Sequence, residues 1–213
     1  MGALSTITTT KTYRKVFVVV IVLVLTGCSF VNGIVQQQVG DLIARDLLLL
    51  DANSYGEAVA ISQRVKVDIK SNAFSLIQQV EIDRDEIRLV GVTHFGSPFF
   101  TLRYYEGKVH ATKMEQLPDA FRPELVLRDF QFAFWNVDVL REAYQKVGYL
   151  VVDSELTRVL QKDGEKVMSV TYQNTSPLNG GVQLIHHGFG YQIEFETLDV
   201  QQLENEQVLG RKE

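Results

Sequence analysis

From Glu57 onward the chain alternates apolar and polar residues with a period of two, and this pattern constrains the fold more than any other feature. Val59, Ile61, Val65 and Val67 alternate with Ala60, Ser62, Arg64 and Lys66, and Phe74, Leu76, Val80 and Ile82 alternate with Ser75, Gln79 and Glu81. Asp83-Arg84-Asp85 turns into Ile87, Leu89 and Gly91, and a second turn near His94-Phe95-Gly96-Ser97 leads to Phe100, Leu102 and Tyr104. Glu106-Gly107 turns again into Val109 and Ala111. Successive strand side chains point to opposite faces, so closely spaced segments joined by Gly- and Asp-containing turns predict an antiparallel meander. Pro123 suits the first turn of a helix. Leu125 to Trp135 and then Val137 to Tyr144 are apolar on nearly all sides, as in a helix buried on more than one face. Alternation resumes near Tyr149 and runs to Thr197 through turns such as Lys162-Asp163-Gly164. The expected fold is mainly β (α+β). About five strands, an apolar helical block and about four more strands form one curved antiparallel sheet, with the helices on its concave face.

The N-terminus carries a different message. Lys11, Arg14 and Lys15 precede ten apolar residues, Val16 to Leu25, and then Thr26-Gly27-Cys28. Positive charge, a short apolar run and a small-residue site make a secretory signal over residues 1–27. At about 1.5 Å per residue the run is about 15 Å long, half a bilayer core. Leu25-Thr26-Gly27-Cys28 resembles a bacterial lipobox, which implies that Cys28 is lipidated and becomes the mature N-terminus. A plain cleavable signal with an incidental cysteine is the alternative. Cys28 is followed by Ser29 rather than by the aspartate that holds such lipoproteins at the inner membrane. By that resemblance the expected location is the periplasmic face of a Gram-negative outer membrane. Helical periodicity over residues 34–47 leads into the domain, residues 28–200, and a polar tail covers 201–213.

Removing residues 1–27 takes away three positive charges and no acid, moving the net charge from −5 to −8 over 186 residues. So acidic a chain has no electrostatic case for nucleic acid. Cys28 is the one cysteine, and once acylated it leaves no thiol for a disulfide or a zinc site. His186 and His187 adjoin on a strand and point to opposite faces, while His94 and His110 have no ligand partner at suitable spacing. Asp83, Asp85 and Glu86 lack the glycine and downstream glutamate of a calcium loop and read as a solvated turn. No metal and no cofactor is expected. There is no Gly-x-Ser-x-Gly elbow, no His-Glu-x-x-His and no phosphate-cradling loop, so the expectation is that the protein is not an enzyme. A serine within hydrogen-bond reach of a histidine would reopen a hydrolase reading.

The stretch from Ile87 to Leu102, followed by Glu106-Gly107-Lys108-Val109, resembles the outer-membrane lipoprotein receptor family LolB. The block Leu127-Arg128-Asp129-Phe130-Gln131-Phe132-Ala133-Phe134-Trp135 is similar to a sister group, the uncharacterised lipoproteins found with aryl-polyene and related fatty-acid-type biosynthesis. The resemblance covers roughly residues 57–200. It implies an incomplete β-barrel wrapped around helices, an apolar cavity for acyl chains, and a membrane-inserting hairpin tip, here Phe95. His94 stands where that family has proline. Read as a residue alone, Phe95 could equally fold back onto the core.

The candidate cavity lining is Phe74, Leu89, Phe100, Leu102, Tyr104, Tyr172, Ile193 and Phe195 from the strands, with Phe130, Phe134 and Trp135 from the helices. Ordinary core packing calls for the same residues, so the interior is either a solid core or a ligand cavity. The functional expectation is a non-enzymatic, lipid-anchored outer-membrane protein that binds or transfers an acyl chain or lipidated molecule, as an accessory to aryl-polyene-type biosynthesis or export. Its partners are the membrane, the cargo and a periplasmic carrier protein. The alternative is a filled half-barrel scaffold that docks periplasmic or membrane partners without a ligand.

Overall fold

The computed structural model describes residues 48–69, 72–115, 117 and 122–203. Cys28, the signal segment, the helix expected over 34–47 and most of the polar tail lie outside the described residues. The strands are β1 (Val59–Ile69), β2 (Asn72–Ile82), β3 (Ile87–Val92), β4 (Pro98–Tyr105) and β5 (Lys108–Lys113), then, after two helices, β6 (Leu150–Ser154), β7 (Thr157–Lys162), β8 (Glu165–Tyr172), β9 (Gly181–His186) and β10 (Tyr191–Gln202). The helices are α1 (Pro123–Phe134) and α2 (Val137–Gln145). All ten strands join in one antiparallel sheet of order β5-β4-β3-β2-β1-β10-β9-β8-β7-β6, so two meanders meet where β1 pairs with β10.

Register follows the alternation. Leu102, Leu89, Val80 and Ile61 form one row across β4, β3, β2 and β1, and all four are buried. Side chains from widely separated strands converge on α1 and the segment that precedes β1. Tyr104 of β4 donates to the Leu49 carbonyl, Arg158 of β7 to the Phe132 carbonyl, and Tyr172 of β8 to the Ala133 carbonyl. A sheet meeting one helix from β5 and from β7 must curl around it, as the twist of so wide a sheet favours.

Pro123 opens α1 as expected, and Trp135 ends it in an extended conformation. Asn136 caps α2, its side chain accepting from the Asp138 amide at 2.8 Å. The second face of α1 is covered by residues 48–55. Gln131 clamps Leu50 by donating to its carbonyl at 2.6 Å and accepting from its amide at 2.9 Å. Trp135 donates from Nε1 to Ser54 Oγ at 2.8 Å and packs edge-on against Tyr55. This double cover explains a helix that is apolar on nearly all sides.

Two details differ from the expectation. Five strands rather than four follow the helices, because Glu155-Leu156 makes a tight turn between β6 and β7 without Gly, Pro, Asn or Asp. Ser154 and Thr157 close that turn through their hydroxyls at 2.6 Å. The last strand also runs beyond Val200, since Gln202 pairs with Val59.

Candidate functional site

The lining residues expected from the sequence fall into two groups. Leu89, Phe100, Leu102, Tyr104, Phe130, Phe134, Trp135, Tyr172, Ile193 and Phe195 are all buried between sheet and helices. Phe74 is the exception at 37 % exposure. It lies on the inner face, opposite Val67, but beyond the cover of α1, so it borders the open end of the sheet instead of its interior. There it meets Phe99, the extra residue of a bulge between β3 and β4, with ring centroids 6.2 Å apart.

Around the C-terminal half of α1 the interior is filled by rings in contact. Phe134 meets Phe195 edge-on at 5.3 Å, and Phe130 meets Phe134 at 5.0 Å and Trp135 at 6.0 Å. Leu89, Leu127, Phe130 and Leu140 have no accessible surface, so no void wide enough for a water molecule adjoins them. Arg158 closes this end, donating from Nη1 to the Phe132 and Trp135 carbonyls at 2.8 and 3.0 Å and from Nε to Asp153 at 2.9 Å. Burial pushes the Tyr172 hydroxyl up to about 12, and its proton is held on the Ala133 carbonyl at 2.9 Å.

The opposite end carries the turns β1–β2, β3–β4 and β9–β10. Phe95, at the apex of the β3–β4 turn, is 97 % exposed. The turn beneath it is firmly built: Gly96 donates to the Thr93 carbonyl, Thr93 to the Ser97 carbonyl, and Ser97 to Thr93 Oγ1. Ile69 at the end of β1 is also exposed. Beside this rim, the first half of α1 buries polar groups that the sequence reading did not single out. Arg128 donates from Nε and Nη2 to Asp129 Oδ1 at 3.1 and 2.8 Å, and Tyr191 donates to Asp129 Oδ2. Burial holds the Asp129 carboxyl above its ordinary range despite Arg128 and Tyr191, and pushes Tyr191 well up. His186, reaching in from β9, is fully buried among Tyr191, Phe189 and Arg128. Burial first, and then the Arg128 charge, hold its pKa down to about 3. The signal for this cluster was present as Arg128-Asp129 inside an apolar helix, but its partners lie about sixty residues away.

His186 and His187 do face opposite sides. His187 is exposed and hydrogen-bonds Ser169 Oγ at 2.9 Å, which supplies the serine–histidine contact a hydrolase would need. The pair sits on the outer face of the sheet, and among the described residues no carboxylate hydrogen-bonds to His187 as the orienting member of a triad would. His94 and His110 are exposed, the latter stacked on Tyr105 at 4.7 Å. Asp83 is consumed by its own turn, accepting from the Asp85 and Glu86 amides and pairing with Arg88. Among the described residues no three His, Cys, Asp or Glu side chains gather as a metal site. None of the described helices is long and apolar enough to cross a membrane. An open cleft of about 480 Å³, lined by Asn53, Glu57, Asp83, Arg84 and Gln202 among others, lies at the far end of the sheet from Phe95.

The sequence pattern of the DUF3261 family, described as a protein of unknown function, matches residues 60–199, from β1 through β10. This chain belongs to the DUF3261 family. Among solved structures, this DUF3261 chain is similar to a LolA superfamily protein from Nitrosomonas europaea. The two share 10% identity with a TM-score of 0.43, covering 79% of this chain and 93% of that one. It is also similar to a Vibrio parahaemolyticus domain provisionally assigned to outer membrane lipoprotein sorting, at 10% identity and TM-score 0.32 over 73% and 92% of the two chains. A DUF1329 family protein from Desulfovibrio piger matches at 6% identity and TM-score 0.33, over 70% and 87%. Among curated proteins no relative matches the DUF3261 chain.

Proposed function

We propose that this DUF3261 protein is a non-enzymatic outer-membrane lipoprotein, anchored through Cys28, that takes an acyl chain or lipidated molecule at the open end of its half-barrel and passes it to the membrane. The observation that carries this reading is Phe95, a phenyl ring almost wholly in solvent on a well-bonded turn, with Phe74 and Phe99 behind it. An aromatic ring at a loop apex is suited to the bilayer interface, and contiguous exposed apolar surface marks a contact site. Each methylene buried there contributes about 0.8 kcal/mol, so a rim of a few rings holds a chain reversibly. A periplasmic carrier protein would deliver the cargo. The finer assignment, service to aryl-polyene-type biosynthesis or export with a polyene lipid as cargo, rests on the resemblance of residues 127–135 alone.

The packed rings around Phe134 and Trp135 favour a second reading, a filled scaffold that docks partners and carries no lipid. Native mass spectrometry of the Cys28→Ala chain, with solvent extraction, separates the two. The carrier reading expects a co-purifying acyl lipid. A clean apo mass that persists after incubation with fatty acids and phospholipids would replace it with the scaffold.

A further inference from the structure

The cluster behind the rim is incomplete in one respect. Asp129 Oδ1 accepts twice from Arg128 and Oδ2 once from Tyr191, while Arg128 uses Nε and Nη2, the latter also on the Tyr191 hydroxyl at 3.3 Å. Its remaining nitrogen, Nη1, is buried without a partner on a side chain only 2 % exposed. His186 shows the same deficit. Its Nδ1 accepts from the Phe189 amide at 3.1 Å, which places the proton of the neutral ring on Nε2, and Nε2 is also buried and unpartnered. Both side chains pack on the same ring, Phe189, with the Arg128 guanidinium carbon 5.9 Å and the His186 ring 4.4 Å from its centre. Two buried donors beside one ring, neither of them hydrogen-bonded to Asp129, call for an acceptor supplied from outside.

We infer that Arg128 Nη1 and His186 Nε2 bind the carbonyl oxygen of an ester- or amide-linked acyl group, a neutral cargo head rather than a free fatty acid. This deepens the proposed lipid-handling function and rests on it. A carbonyl oxygen has two lone pairs and can accept from both donors, whereas a hydroxyl or ammonium head would bring further donors. The Arg128 charge is already balanced by Asp129, so a carboxylate would enter the site as an uncompensated buried charge. Register supplies the path for the chain. Tyr191 pairs with His186 and Ile69, and in the next inner-face row Ile193 pairs with Val67, which pairs with Phe74. An alkyl chain leaving the polar site along that row crosses two strand spacings, about 10 Å, to the exposed Phe74 ring and the half-buried Phe99 beside it. The residue above the site, Phe189, sits between Gly188 and Gly190, with Gly190 at φ +68°.

The test measures retention of radiolabelled methyl laurate, laurate and a straight hydrocarbon of matched length by the full chain at one fixed dodecyl maltoside concentration. Wild type is compared with His186→Phe and with Arg128→Met/Asp129→Asn, so either variant decides if the other fails to fold. The expected result is an ester-to-hydrocarbon retention ratio that falls about tenfold in each variant while hydrocarbon retention holds, with laurate gaining nothing from the site. A ratio unchanged by both variants means that an ordered water only satisfies the two donors, and it overturns the inference while leaving acyl binding intact. Preferential retention of laurate overturns the neutral head group. Failure to retain any of the three probes overturns both this inference and the acyl reading beneath it.

Discussion

Two buried arginines meet at α1, Arg128 within it and Arg158 reaching it from β7, and the contrast between them separates what holds the fold from the proposed site. Arg158, at the C-terminal end, ties the last helical carbonyls to Asp153 and lies over Tyr172 at 5.6 Å. Helix C-termini leave carbonyls without intrahelical partners, and a cation there answers both the hydrogen-bond deficit and the dipole. Arg128, midway along the helix, is buried more deeply, yet one nitrogen lacks a partner and the residues around it lead to the exposed Phe74 ring. Bonded Nε and Nη1 on Arg158 and a buried deficit on Arg128 match the division between a structural contact and the proposed site.

Breaking the satisfied end has the largest expected effect. Arg158→Met strands Asp153 and two helix carbonyls, and should cost about 3–5 kcal/mol in urea unfolding. A cost under 1 kcal/mol would mean that water replaces the arginine, and the contrast would lose its structural half. Next comes Gly91, where an added Cβ would lie 2.4 Å from the Phe100 ring. Gly91→Ala should cost about 1–3 kcal/mol, and Phe100→Leu in the same chain should recover part of that loss. No recovery would place the clash elsewhere.

The open end should show itself through pH. The His186 pKa lies near 3 in the fold against about 6.5 in the unfolded chain. Its contribution is therefore complete above about pH 6.5 and is lost as pH falls toward 3, at up to about 1.4 kcal/mol per pH unit. The groups facing it are Arg128 and Asp129 from α1 and Tyr191 from β10, with His187 next along β9. The raised Asp129 carboxyl acts with the opposite sign, adding stability at low pH that is lost as pH rises through its folded pKa. The informative quantity is thus the change in slope. From about pH 7 to about pH 5, His186→Phe should flatten the fall in urea midpoint, and an unchanged slope would show His186 free to charge within the fold.

Much of this architecture could be read from the chain because period-two alternation fixes both strand identity and face. Leu89, Leu102 and Val80 fall in one buried row for that reason, and Pro123 marks the start of α1 for a local one. The missed strand boundary at Glu155-Leu156 had no turn residue to announce it. Phe74 obeys the alternation, but face does not reveal how far a covering helix extends, so its exposure was not legible. The polar cluster was hidden for a related reason. Arg128-Asp129 gains meaning only when Tyr191 and His186 arrive from strands about sixty residues later, a pairing that no periodicity encodes. Gln131 and Leu50, 81 residues apart, are a further case.

The smallest expected effect on stability belongs to the residue on which the proposed function rests. Phe95 is 97 % exposed, so replacing it should move unfolding by no more than about 0.5 kcal/mol. The most direct measurement is therefore fluorescence from Phe95→Trp in the full chain, reconstituted in vesicles whose phosphatidylcholine carries bromine on the acyl chains. The native Trp135 is buried and supplies a constant background. If the tip enters the bilayer, the added tryptophan emits at shorter wavelength and is quenched by the brominated chains. Emission that stays at the wavelength of a water-exposed indole and is not quenched would contradict a membrane-touching tip and the account built on it.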